Sequence, residues 1–244
     1  MNKIDLNDKD HIWNWIGAKM IQNFGNYYNI KTSTQELYDC LYDEEFEDES
    51  INEDFEPQII NAGKAWSYIK NFLTTVYINE KNIDEKIDNL TMLDLSEVYR
   101  MLDPKKKYIS LFQGDTIESI DFLEYFKKMC SRILEKLDND VVIEELALWN
   151  LKLVVDKKLG EYTEFLSLMV INGLLIFKNI PPMCFAKKDW EFENMTKIYN
   201  QLIAEITNLP FSQWTSNLNF KYYLKLWMHN SEFLLDKNFS QKSI

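Results

Sequence analysis

LSLMVINGLLIFKNIPP, residues 166–182, is apolar around the whole turn of a 3.6-residue period. A helix without a polar face must be enclosed by other helices. From Leu166 to Ile180, at about 1.5 Å per residue, it would run roughly 22 Å, enough to cross a domain. It falls short of the roughly 20 apolar residues that span a bilayer, so no membrane span is expected. Pro181 and Pro182 are predicted to end it, because neither can donate the next backbone hydrogen bond. The expectation is an all-α fold, several helices packed around one central buried helix.

Composition agrees. Of 244 residues, 46% are hydrophobic and 14% aromatic, which suits a globular chain with a sizeable core. Six Gly and five Pro are too few for a strand-and-turn architecture. They also argue against a phosphate loop, which needs several glycines close together. The net charge is −12, and Arg100 and Arg132 are the two arginines. Without a basic face there is nothing to release counterions from nucleic acid, and that class of partner is excluded.

Cys40, Cys130 and Cys184 are widely spaced and odd in number, which predicts reduced thiols in a cytosolic-type compartment. The opening residues MNKIDLNDKDH contain no apolar h-region, so no secretory signal is expected. A cytoplasmic location follows, with secretion as an effector left open.

Along the chain, Ile12, Ile16, Met20 and Phe24 fall at fourfold spacing, predicting a helix over 8–28. Ser33 with Glu36 three residues on reads as a capping box opening a second helix. The strongest charge feature follows. Between 43 and 56 stand nine acids and no base: Asp43, Glu44, Glu45, Glu47, Asp48, Glu49, Glu53, Asp54 and Glu56. A calcium loop needs a glycine turn, which this run lacks, so no metal is assigned. It reads as a solvated, partly mobile acidic loop, or as a docking surface for a partner with a basic face. It is also the one candidate break in a chain otherwise read as a single domain over 1–244.

Further helices are predicted over 61–77, 117–137, 141–155, 189–207 and 218–236, with two short ones in 83–102. Asp103-Pro104 breaks the second of those. KYISLFQGD, residues 107–115, alternates at Tyr108, Ser110 and Phe112, and predicts one arm of a short β-hairpin.

Catalytic signatures are missing. His11 and His229 are isolated, no CxxC or HExxH occurs, and there is no GxSxG, GxxxxGK[ST] or GxGxxG. No catalytic residue and no cofactor are assigned from the residues themselves.

The order of elements over residues 83–203 nevertheless resembles the Fic (Fido) family of helical proteins. Tyr99-Arg100 stands where that family has a YR pair, and KYISLFQGD resembles its flap hairpin. LMVINGLLIFKNIPPMCFAKKDWEFENMTKIYNQL resembles the buried helix that follows its HPFx[DE]GNGRxxR signature, with Asn172 and Pro181-Pro182 in register. The resemblance implies an N-terminal part over 1–60, a Fic-like core over 83–203 and a C-terminal helix over 204–244.

It also implies that the signature is lost. Lys157 falls at the position of the family's base histidine, Leu159 at its phenylalanine, and Glu161 at its acidic, magnesium-holding position. Tyr162, Thr163, Glu164 and Phe165 replace Gly-Asn-Gly-Arg, and Leu168 replaces the second arginine. Lys157 and Glu161 are thus what remains of a nucleotide-binding loop. A helix start without its glycines and arginines loses its anion hole, and loss of a general base alone costs about 10²–10⁴ in rate. The function implied is a catalytically degenerate Fic-like protein, a bacterial effector, immunity or regulatory protein acting by binding another protein. The alternative is a divergent transferase using a nucleotide or nucleotide-sugar.

Overall fold

The central helix is as buried as its sequence demands. In the computed structural model, which describes residues 9–79, 94–136, 138–183 and 189–238, it runs Thr163–Phe177. Leu166, Met169, Val170, Ile171, Leu174, Leu175 and Ile176 are fully shielded. Around it stand α1 (Lys9–Tyr27), α2 (Thr34–Tyr42), α3 (Pro57–Asn79), α4 (Leu95–Leu102), α5 (Ile117–Glu135) and α6 (Asn139–Asp156). The central helix is α7, and α8 (Asp189–Ile206) and α9 (Leu218–Asn238) follow. α7 packs on α1, α3 and α6; α2 rests on α1, α4 on α3, α5 on α6, and α9 on α8 and α6. By length and composition alone Gly160–Phe177 would pass for a membrane span, but 72% of it is buried within the protein. That is how a core helix looks.

Several boundaries are set by local chemistry. The Ser33 hydroxyl accepts the Gln35 amide at 3.2 Å and Glu36 returns to the Ser33 amide at 3.2 Å, so the predicted capping box is present. Asp94 and Asp138 cap α4 and α6 through the amides of Ser96 and Asp140. The end of α7 differs from expectation. It stops at Phe177, where the amides of Asn179 and Ile180 fold back to Ile176 and Leu175, with Asn179 left-handed at φ 58°. This C-terminal motif precedes the prolines, which follow the helix end instead of causing it. Asn172, buried in mid-helix, accepts the Met183 amide at 2.7 Å and so ties the chain after the prolines back onto α7.

The β-hairpin is a correction. Among the described residues there is no strand, and Ile109–Phe112 is a 3-10 turn. A lone strand would leave its backbone unpaired; the turn pairs Leu111 with Tyr108 and Gln113 with Ser110. Its Phe112 stacks on Tyr99, with ring centres 5.3 Å apart. The first of the two helices expected within 83–102 lies outside the described residues, as does Cys184; Cys40 and Cys130 are buried free thiols.

Candidate functional site

The turn leading into α7 holds Lys157 and Glu161, the two positions singled out by sequence. Lys157 terminates α6 in the left-handed region, φ 49°, with its side chain exposed. Its amide reaches Val154 and that of Lys158 reaches Leu153, the pattern of a helix C-terminal motif. Lys158 pairs with Glu118 at 2.5 Å. Leu159 is fully buried, and its amide donates to the Thr163 hydroxyl at 3.0 Å, which in turn donates to the Gly160 carbonyl at 2.8 Å. The amides of Gly160, Tyr162 and Thr163 are bonded to Lys157, Leu159 and Gly160.

These internal bonds decide what the turn can do. An anion cradle at a helix start needs backbone N–H groups that point outward and have no other partner. Here the amides of residues 157–160, 162 and 163 are spent on the turn itself. Aromatic rings fill the remaining space. A Cβ on Gly160 would lie 2.9 Å from the Tyr108 ring, so glycine is needed both for that contact and for φ 57°. Tyr162 meets the ring of Tyr99 edge-on at 6.4 Å, and Phe24 stacks on Phe165 at 4.0 Å. Burial raises the phenols of Tyr28, Tyr99 and Tyr162 above their ordinary pKa, with neighbouring Tyr162, Asp103 and Glu161 adding to it, so all three stay neutral. Glu161 is exposed.

Beside the turn, Asp103 is 3% exposed and accepts three hydrogen bonds: from the Tyr99 hydroxyl at 2.5 Å and from the amides of Lys105 and Lys107 at 3.0 Å. Burial pushes its carboxyl up, but those donors outweigh burial and leave the pKa below the ordinary value. Asp103 is a structural anchor. Arg100, the other half of the YR pair, is exposed and pairs with Glu97.

The acidic run is built instead as two 3-10 turns, Glu45–Glu47 and Glu49–Glu53. Phe46 and Ile51, 1% and 4% exposed, join the same hydrophobic core as α7. The run is therefore pinned to the core. Phe46 lies flat on α3, where a Cβ on Gly63 would come within 2.5 Å of its ring. Asp48 caps the second turn through the Ser50 amide at 2.8 Å. Asp43, Glu44, Glu45, Glu47, Asp48, Glu53, Asp54 and Glu56 are exposed. Among the described residues no group of three His, Cys, Asp or Glu side chains converges as metal ligands would.

The thiol of Cys40, behind the run, is pushed up to about 12 by burial first and by Glu45 second, so it is no nucleophile at neutral pH. Next to the run lies a polar cleft between α1 and α3, which includes Asp10, Asn14 and Lys70. Sequence reasoning missed it, because its residues, from Asp10 to Thr75, lie as much as 65 positions apart with no motif linking them. Compared with family models, with curated proteins and with solved structures, the chain matches none of them.

Proposed function

We propose that this chain is a catalytically degenerate Fic-like protein that works by binding a basic protein partner through the face spanning residues 43–56. The observation that carries the reading is the pinning of the run by Phe46 and Ile51, with the carboxylates of Asp43, Glu44, Glu45, Glu47, Asp48, Glu53, Asp54 and Glu56 outward. A face held in one shape loses little conformational entropy on docking. Its one-sign charge speeds association more than it tightens the final complex. Consumption of the backbone amides before α7 argues against nucleotide phosphates at that turn.

The test uses a triple variant, Glu47→Lys, Glu53→Lys and Asp54→Lys, with immobilised lysine-rich peptides as the probe. Association with the parent protein should weaken with rising salt, and the variant's association rate should drop by about tenfold or more. Equal rates for both proteins would remove the docking role. A parallel thermal-shift panel of nucleotides and nucleotide-sugars addresses transfer chemistry. A ligand at about 100 times its dissociation constant adds about 2.7 kcal/mol, and a shift of that size would favour the transferase reading.

A further inference from the structure

The cleft between α1 and α3 measures about 390 Å³ and is bounded by Asp10 and Asn14 of α1, Lys70 and Thr74 of α3, and Tyr42 and Glu44 at the end of α2. Its floor holds a half-committed cation. The Lys70 side chain is 16% exposed; its ammonium donates to the side-chain amide oxygen of Asn14 at 3.1 Å and stands 3.7 Å from the Asp10 carboxylate. The second distance is too long for a hydrogen bond, and an ammonium has three donors. Asn14, 1% exposed, holds that ammonium in place from inside α1.

Charge and size narrow the guest. Two carboxylates, Asp10 and Glu44, and one ammonium line the cleft, so a complementary ligand carries two cationic groups and one anionic group. Ligand sites commonly run from about 300 to 1,000 Å³, and this one is at the small end, suited to a single amino acid. Tyr42, 64% exposed at the rim, offers a ring face to a guanidinium or ammonium.

We propose that the cleft binds a free basic α-amino acid, L-arginine or L-lysine. Its carboxylate rests on Lys70, and its α-ammonium and side-chain cation meet Asp10 and Glu44. The cleft shares Glu44 with the docking face, but the triple variant above leaves every residue of the cleft intact, so the two readings fail separately.

Isothermal titration with L-arginine, agmatine and L-citrulline tests it. Agmatine lacks the carboxylate and citrulline lacks the side-chain cation. Saturable 1:1 binding of arginine is expected, weaker by about ten- to a hundredfold for each analogue, and by the same factor in Lys70→Met. No saturable heat with arginine, agmatine binding as tightly as arginine, or unchanged affinity in Lys70→Met would overturn the site. Should Lys70→Met fail to give the parent's circular dichroism spectrum, Glu44→Gln takes its place. Its carboxylate is exposed, and undiminished arginine affinity there overturns the proposal equally.

Discussion

Asp103 holds the turn after α4 with three bonds at once, one to a phenol and two to backbone amides. Asp103→Asn keeps one acceptor oxygen but sets an NH2 group against a donor, and should cost about 1–3 kcal/mol at neutral pH. Because its folded pKa lies below the unfolded value of about 3.9, its contribution is present above that value and is lost as pH falls through the folded pKa. Urea denaturation should therefore show a gap between parent and variant that is steady from neutral pH to about pH 5 and narrows in more acid solution. A gap of constant width down to pH 2 would mean that the ionised carboxylate is not what stabilises the turn. None of this was visible in Asp103-Pro104, which reads only as a helix break, because the Tyr99 hydroxyl and the two amides meet the carboxylate only after the chain turns back.

Helices were legible wherever one face had to be buried and a cap marked the start. α1, α2 and α5–α9 all stand close to where apolar spacing and the Ser33–Glu36 pair placed them. Residues 107–115 misled because alternation over a few positions also fits a 3-10 turn whose Leu111 and Phe112 both pack inward. How helices cross is likewise decided by packing. Gly17 in α1 sits against Trp66 of α3; a Cβ there would be 2.2 Å from the indole nitrogen. That indole is fully buried and donates to the Trp13 carbonyl at 3.0 Å, so it has no room to move aside. Helix propensity favours Ala over Gly by about 1 kcal/mol, yet overpacking outweighs it, and Gly17→Ala should lose about 1–3 kcal/mol net. A lower urea midpoint at unchanged slope is the expected result; a more stable variant would mean that α1 and α3 cross more loosely than described.

Across the whole molecule, one hydrophobic cluster extends from Ile12 to Trp227 and includes Phe46 and Ile51 of the acidic run. Thermal unfolding should accordingly be a single transition, coincident by far-ultraviolet circular dichroism and tryptophan fluorescence. Two separated transitions would contradict the one-domain reading. With a net charge of −12, self-repulsion opposes compaction. Raising ionic strength from about 0.01 to 0.15 M shortens the screening length from about 30 to 8 Å, so the midpoint should rise with added sodium chloride. The acidic run was legible as charge, but its fixed shape was not, since that depends on Phe46 meeting Gly63 across the α2–α3 connection.

Local pattern by itself determined the helical class, the central helix, its burial and the anionic surface, because periodicity and charge are properties of neighbours in the chain. Tertiary structure alone decided that Phe46 meets Gly63 and that Asp10, Asn14 and Lys70 share a cleft, whereas the amides before α7 and the cage around Asp103 are closed by near neighbours whose turn geometry apolar spacing does not encode. Phe46 and Gly63, like Asp10 and Lys70, are far apart in the chain where no spacing rule applies, and packing is what brings them together.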